Sequence, residues 1–308
     1  MKSRAGPPDA GPWTLLNPCG LSHAEGILIE ECSVSNRTIV GFDGTEPSRA
    51  ALAWALRRGG PVVVAHVADP DAGLIGADYR HEVEQTAADL LERTLTDLAE
   101  RYPEADVDGV LLEGPVAWAL SEFAGPDDTL VIGTHKTGFV RGRVLGSRSI
   151  EVAMLAHGDV VVVPPIDMRF RTGVVAGIAG DADLRGVVES AARVAAQRGE
   201  DLLLLHGTED RRVDEDSSVV AEAIAVARET AGDILIRTRT SNRHIAELLL
   251  DAARDRVLLV IGSGSGDRAR SPIGSVLHDV LLNLTSPVLV THTGARVAVE
   301  PAESPRVA

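Results

Sequence analysis

From residue 38 onward, short apolar runs rich in β-branched residues alternate with longer segments in which apolar residues recur at helical spacing. Runs that are almost continuously apolar are typical of strands buried on both faces of a parallel sheet. The alternation therefore predicts an α/β fold whose sheet is covered by helices on both sides. The predicted strands of the first half are residues 38–42, 62–67, 105–111, 129–132 and 159–164.

Four helices are predicted around these strands. The first carries Pro47 in its opening turn, where a residue without an amide hydrogen is tolerated. The second is a long amphipathic helix at about 81–101, and the third covers residues 116–123. The fourth helix follows a glycine-containing loop and is entered through Ser147 or Ser149 as its N-cap.

The same pattern occurs a second time along the chain. The corresponding segments are 39–42 with 174–178, 62–66 with 202–206, 130–133 with 257–262, 145–147 with 273–275, and 159–164 with 287–291. A repeat of this length indicates two copies of one βα unit. We therefore predict an irregular N-terminal extension at 1–36, a first domain at 37–165, a second domain at 171–292 and a C-terminal tail at 293–308.

The N-terminal extension contains four prolines among small and polar residues. Such a composition predicts mostly irregular structure. Residues 13–16 and 26–29 are its two apolar stretches, and one docked segment could come from them.

The loop from Gly133 to Ser147 is the first candidate for a functional site. It connects a predicted buried strand to a helix start, and it carries several glycines and basic residues, among them Lys136. Glycines allow the backbone to approach an oxyanion, and the first amides of a helix point at it, so a phosphate-bearing ligand is one interpretation. The alternative is an ordinary strand-to-helix connection whose basic residues are solvated.

Composition narrows the classes of partner. The 308 residues carry a formal net charge of −15, which argues against binding to a nucleic acid because that requires a basic face. The only cysteines, Cys19 and Cys32, lie in the N-terminal extension, so we expect no disulfide framework and a reducing, cytoplasmic location. No apolar run approaches the roughly 20 residues that span a bilayer, so no membrane partner is expected.

Four short motifs, in this order and spacing, together resemble the universal stress protein family. They are Asp43-Gly44-Thr45, His66-Val67, Gly114-Pro115 and Gly146-Ser147. The resemblance covers both repeats. It implies, for each repeat, a doubly wound five-stranded parallel sheet in the order 3-2-1-4-5, similar to the adenine nucleotide α-hydrolases. It also implies that the two domains pair within the chain as a pseudo-dimer, and it leaves a homodimer of the chain open. Many members of the family bind ATP.

The order 3-2-1-4-5 leaves a crevice between strands one and four, at their carboxyl ends, and both Asp43 and Gly133 would line it. The resemblance implies that Asp43 accepts a hydrogen bond from a nucleotide, that the backbone of Val67 contacts the adenine, and that the glycine loop holds ribose and phosphates. The predicted ATP-binding residues, with or without Mg²⁺, are Asp43, Val67, Gly133, Lys136, Gly146, Ser147, Arg148 and Ser149. The alternative role for Asp43 is that of a turn or helix-start carboxylate.

The chain departs from the family pattern at several of these positions. Lys136 stands where the family has a second glycine, and Arg148 stands where an apolar residue is more common. In the second domain Ala179 occupies the position of Asp43, and Asp181 adds a negative charge that would repel phosphate. We therefore expect altered nucleotide binding in the first domain and a degenerate site in the second.

His66 and His206 end equivalent strands, which favours a shared packing role over catalysis. No metal-ligand cluster and no acid–base pair is evident, so no catalytic residue is predicted. The leading hypothesis is a cytoplasmic, non-catalytic regulator that binds ATP in its first domain. The alternatives are a ligand-free interaction protein of the same fold, and an enzyme that slowly hydrolyses ATP or phosphorylates itself.

Overall fold

The computed structural model describes residues 13–16, 36–69, 77–135, 148–180, 183–208, 213–264 and 274–292. The strands are β1 (Trp13–Leu16), β2 (Thr38–Gly41), β3 (Val62–Ala68), β4 (Val107–Glu113), β5 (Thr129–Gly133), β6 (Asp159–Val163), β7 (Val174–Ile178), β8 (Leu202–Gly207), β9 (Ile236–Ser241), β10 (Leu258–Gly262) and β11 (Val288–Thr291). The helices are α1 (Glu46–Arg58), α2 (Ala77–Arg101), α3 (Val116–Phe123), α4 (Arg148–Leu155), α5 (Leu184–Arg198), α6 (Val213–Thr230), α7 (Ile245–Ala253) and α8 (Ser275–Leu282).

Each half of the chain builds a parallel sheet in the same order. In the first half the order is β4-β3-β2-β5-β6, and in the second half it is β9-β8-β7-β10-β11. Numbered within each half, both are 3-2-1-4-5, so the predicted α/β class and strand order are confirmed. In both halves strands one and four are neighbours, and the chain leaves them in opposite directions along the sheet. This reversal of the strand order leaves a crevice at their carboxyl ends.

Both faces of the sheet are buried, which explains the near-continuous apolar runs. Strand β6 shows the arrangement clearly: Val161 and Val163 belong to one core, while Val160 and Val162 belong to the other. Helices α1, α2, α5 and α6 contribute to the first core, and α3, α4, α7 and α8 contribute to the second. Each core contains residues from both halves, so the apolar layers continue across the whole molecule.

The halves are joined by an antiparallel pairing between β6 and β11, which makes one continuous sheet. Val161 pairs with Leu289 across this junction. These two residues also hold equivalent positions, because Val161 lies beside Val131 of β5 and Leu289 lies beside Val260 of β10. A local two-fold axis therefore passes through the Val161–Leu289 pair, and helices α4 and α8 contact each other beside it.

The antiparallel junction also fixes where the two crevices lie. Strands β6 and β11 are each parallel to the strands of their own half. Since they run in opposite directions, the carboxyl ends of the two half-sheets are at opposite edges of the combined sheet.

The two ends of the β6–β11 pairing differ in chemistry. At one end the amide of His292 donates to Asp159 Oδ1 at 3.4 Å, and His292 Nε2 donates to the carbonyl oxygen of Ala153 in α4 at 2.8 Å. The equivalent positions at the other end are Pro287 and Pro164. Burial raises the pKa of Asp159, and this effect exceeds the opposing hydrogen bond and the attraction of nearby cationic groups.

Burial also lowers the pKa of His292 from its ordinary value, although the hydrogen bond to Ala153 and the carboxylate of Asp159 act in the opposite direction. Within the described part of the chain, His292 Nδ1 is buried and has no hydrogen-bond partner. A proton on Nδ1 would therefore place an unsatisfied donor in the junction, which favours the neutral imidazole.

The outer edges of the sheet are protected in different ways. Residues Trp13–Leu16 of the N-terminal extension form β1, which pairs in parallel with β4 and covers the edge of the first half. At the other edge, β9 is largely exposed and carries Arg237 and Arg239 on either side of Thr238. Charged side chains on an edge strand discourage pairing with another chain, so this edge does not need a covering strand.

Several element boundaries differ from the predicted ones. Helix α2 begins at Ala77, before the predicted start at about 81. Strand β4 covers Val107–Glu113, not 105–111, because the amide of Ala105 donates to the carbonyl of Tyr102 in a turn that follows α2. Among the described residues, no helix is long and apolar enough to cross a membrane.

The junction predicts a pH dependence that the variant His292→Gln should reduce. The pKa of His292 is lower in the folded protein than in the unfolded chain, so the unfolded chain binds more protons between the two values. The free energy of unfolding should therefore fall as pH decreases through this range. Between about pH 8 and about pH 5.5 we expect the free energy of unfolding of the wild type to fall by more than that of His292→Gln.

Urea unfolding of both proteins at the two pH values measures this difference. Asp159 is present in both proteins and can keep the hydrogen bond from the amide of residue 292, so the comparison measures the imidazole together with its charge interaction with Asp159. The matched control is His81→Gln, which changes an exposed histidine on α2 and should leave the pH dependence of the wild type unchanged. Equal pH dependence in the wild type and His292→Gln would contradict the prediction.

Candidate functional site

The carboxyl ends of three neighbouring strands bring the first-half site together. Gly41 of β2 is paired with Ala65 of β3 on one side and with Ile132 of β5 on the other. The loop after β2 carries Asp43, and Gly133 is the last residue of β5. The structure therefore places these predicted residues around the crevice where the strand order reverses.

Asp43 lies in a turn that leads into α1 and is exposed to solvent. Its Oδ1 accepts two hydrogen bonds, from the Thr45 amide at 3.0 Å and from the Thr45 hydroxyl at 2.6 Å. Partial desolvation raises the pKa of Asp43, but these hydrogen bonds, with smaller contributions from Ser48 and His66, outweigh it and lower the pKa from its ordinary value. Asp43 is therefore an ionised turn carboxylate held in one orientation, with both bonds on a single oxygen.

Two residues that were not among the predicted binding residues support Asp43. Thr45 is the N-cap of α1, and its backbone is extended. Ser48 is buried and donates from its hydroxyl to the Thr45 carbonyl at 3.0 Å. The Thr45 hydroxyl is 3.5 Å from Ser48 Oγ, so the two side chains link Asp43 to the first turn of the helix. The sequence does contain a signal for this support. A threonine follows Asp43 by two residues, and a serine follows that threonine by three.

Gly133 has a packing role that accompanies any role in binding. A Cβ atom at this position would overlap the carbonyl group of Pro47 and the amide of Ser48. Strand β5 and helix α1 can therefore approach each other only because residue 133 has no side chain. Since Ser48 supports Thr45 and Asp43, this close contact also sets the distance between the strand end and the carboxylate.

Val67 lies two residues beyond the last pair between β2 and β3. The carbonyl of Ala65 accepts from the Phe42 amide at 2.8 Å, so Ala65 directs its carbonyl toward β2. Alternate residues of a strand direct their backbone groups to the same side. The amide and carbonyl of Val67 therefore face the side on which β2 has already ended, next to the Asp43 turn.

The remaining predicted residues lie on the loop before α4 and in its first turn. Arg148 is the first residue of α4 and is exposed, while Ser149 is buried within the helix. Ser149 is therefore not the N-cap, and Ser147 is the residue that precedes the helix. The predicted residues Lys136, Gly146 and Ser147 lie outside the described residues.

The two strand-end histidines have the packing role that was predicted from their recurrence. His66 Nδ1 lies 2.5 Å from the carbonyl oxygen of Phe42, and His206 Nδ1 lies 3.0 Å from that of Ile178. Because a carbonyl oxygen can only accept, Nδ1 carries the proton in both rings. Each histidine thus ties the second strand of its half to the end of the first strand.

The second half departs from the first at the corresponding site. Ala179 stands in the position of Asp43, and Asp181 lies outside the described residues. A different carboxylate, that of Asp183, lies against the end of β10, where it accepts from the Gly264 amide at 2.9 Å. The sequence analysis missed Asp183 because an aspartate before a helix usually serves only that helix. Within the described ranges, no three His, Cys, Asp or Glu side chains are grouped as a metal site.

The close approach at Gly133 predicts the effect of Gly133→Ala. A methyl group there would push α1 away from β5, and overpacking of this kind costs about 1–3 kcal/mol of stability. The control is Gly232→Ala, where a Cβ would meet only the Arg228 carbonyl at 3.7 Å and the free energy of unfolding should change by less than about 0.5 kcal/mol. Urea unfolding measures both, and equal stability of the two variants would contradict the packing role.

Comparisons with known proteins agree with this geometry. The universal stress protein family model matches residues 35–164. A universal stress protein of Mycolicibacterium smegmatis is 28% identical over 280 residues, which cover 82% of this chain and 95% of that protein. One from Mycobacterium tuberculosis is 26% identical over 313 residues, covering 86% of this chain and 96% of that protein.

A solved structure supports the fold independently. A universal stress protein from Archaeoglobus fulgidus superposes with a TM-score of 0.64 at 19% identity, covering 84% of this chain and 97% of that one. At this identity the structural match shows the arrangement of the chain alone. The family model covers the first half, and the relatives extend the similarity through the second. Residues 35–164 of this chain therefore match a universal stress protein domain, and the second half repeats its strand order.

Proposed function

We propose that the chain is a cytoplasmic, non-catalytic regulator whose first half binds ATP or a related adenine nucleotide. The observation that carries the proposal is the ionised Asp43 carboxylate, held by Thr45 at the crevice between β2 and β5. This crevice is where open α/β sheets of this order bind their ligands.

The described residues offer groups suited to two parts of a nucleotide. Asp43 can accept from ribose hydroxyls, since an ionised carboxylate has acceptor positions on both oxygens and Thr45 uses only one of them. The backbone of Val67 faces the same crevice and offers a donor and an acceptor to an adenine edge. Hydrogen bonds to a charged group are stronger than neutral ones, so Asp43 should contribute most of the specificity.

The phosphate end is proposed to lie at the start of α4. The first amides of a helix favour an anion, and the exposed Arg148 adds a positive charge at the start of α4. Lys136, Gly146 and Ser147 precede this helix in sequence and are proposed to complete the contacts. Local cations matter here because the chain as a whole carries a net charge of −15, which repels a polyanion. Bound Mg²⁺ would supply further positive charge between phosphates.

A regulatory role fits the chemistry of the site better than turnover does. Catalysis of phosphate transfer would require a positioned base near the attacking atom. His66 is the histidine closest in sequence to the proposed adenine contact, so it adjoins the base end of the proposed nucleotide and not its phosphates, and its Nδ1 donates to the Phe42 carbonyl. Ligand binding would instead stabilise the arrangement of β2, β5 and α1, because a ligand that binds only the folded state raises its stability.

Calorimetric titration of the purified full chain with ATP tests the proposal. We expect one site per chain in the wild type. Replacing Asp43 by Ala removes one or more charge-assisted hydrogen bonds of about 1.5–3 kcal/mol each, so the affinity should fall by roughly tenfold to a hundredfold.

The matched control is Asp127→Ala. Asp127 is also an exposed aspartate in a turn, but it precedes β5 and so lies at the opposite end of that strand. It should bind ATP as the wild type does. Absence of saturable ATP binding by the wild type, or equal affinity in wild type and Asp43→Ala, would reject the nucleotide site and favour the ligand-free interaction protein.

A further inference from the structure

The second half contains a cavity of about 420 Å³ at the carboxyl ends of β7, β8 and β10. This is the place in the second half that corresponds to the Asp43 crevice in the first. Its volume lies in the range of sites for small organic ligands, which is roughly 300–1,000 Å³. The loss of the acidic residue at Ala179 has therefore not closed the site.

The walls of this cavity are mainly apolar. Leu184 and Val187 of α5 lie on one side, and Ile245, Leu249 and Leu277 lie on the other. A cavity with such walls favours the binding of an apolar or flat aromatic molecule. The stabilisation grows in proportion to the apolar surface that is removed from water. Ala179 also lines the cavity and is itself exposed, so the cavity opens to solvent beside it.

The polar end of the cavity has the wrong charge for a phosphate. Asp183 is 3% exposed, and its carboxylate accepts from the amide of Gly264 at 2.9 Å. Gly264 follows β10 as the loop residues after Gly133 follow β5, and a glycine amide in that position is the kind of group that binds a phosphate oxygen. Here a carboxylate of the protein occupies that amide, and its charge would repel a second anion.

We propose that this cavity binds a neutral or cationic heterocycle of nucleobase or nucleoside size, and that Asp183 excludes phosphorylated ligands from it. The apolar walls hold the ring, and Asp183 accepts from a ligand N–H or O–H group. Backbone groups of Gly207, which lies at the end of β8 as Val67 lies at the end of β3, border the same cavity. This proposal does not depend on the first-half site, because the two crevices lie at opposite edges of the sheet.

Adenosine and AMP are suitable probes, since they differ only by the phosphate. Both are titrated into the full-length Asp43→Ala protein, in which the proposed first-half site is weakened. Adenosine should bind with saturation, and AMP should bind at least about tenfold more weakly, because two like charges a few ångströms apart near a protein surface cost more than about 1.4 kcal/mol.

Two further variants in the same background assign the effect to this cavity. Asp183→Asn keeps an acceptor for the Gly264 amide but removes the charge, so the ratio of adenosine to AMP affinity should fall toward one. Ala179→Phe fills the mouth of the cavity at an exposed position and should abolish adenosine binding, while Ala105→Phe, in an exposed turn of the first half, should not.

The outcomes separate this proposal from the first-half one. Lack of adenosine binding, AMP binding as tight as adenosine, or adenosine binding that survives Ala179→Phe would each overturn it. None of these results bears on ATP binding by the wild type, which the Asp43 comparison measures.

Discussion

The antiparallel pairing of β6 with β11 is the contact on which the rest of this molecule depends. Both strands carry apolar side chains on both faces. Without each other they would be exposed edges, with a row of unpaired backbone groups beside a large apolar surface. The pairing satisfies the backbone and merges the cores of the two halves. Each half therefore completes its own sheet only by joining the other.

In the two proposed sites, the placement of a single carboxylate gives one fold opposite ligand preferences. In the first half Asp43 follows β2, and its carboxylate accepts from the amide and hydroxyl of Thr45. In the second half the corresponding residue is Ala179, and the carboxylate of Asp183 has moved to the amide of Gly264. The acidic group of the first half thus accepts from a hydroxyl group. The acidic group of the second half instead occupies the amide that a phosphate oxygen would otherwise bind.

Most of the strands could be predicted from the sequence, because buried parallel strands leave continuous apolar runs that repeat at the same spacing in both halves. Their order followed from the resemblance to the universal stress protein family. Strand β9 could not be identified in this way, since its residues alternate arginine and threonine at an exposed edge. Strand β1 is a short stretch in a proline-rich extension, and only its pairing with β4 defines it. Local composition carries no information about which edge a segment will cover.

The same distinction applies to the sites. Asp43 and Gly133 were predictable because the strand order alone brings their loops together. The role of Gly133 against Pro47, the support of Asp43 by Thr45 and Ser48, and the position of Asp183 depend on contacts between elements. Periodicity and motif spacing do not encode those contacts, so the structure was needed to find them.

The unequal ends of the central pairing have a consequence for assembly. If the first halves of two chains paired through β6 alone, Asp159 would meet Pro164 of the other copy, and proline has no amide hydrogen to donate. The half-buried carboxylate of Asp159 would then lose the donor that His292 provides, at a free-energy cost that the β6–β11 pairing avoids. The difference between the two strand ends thus favours pairing of each half with the other half. It disfavours pairing of a half with a second copy of itself.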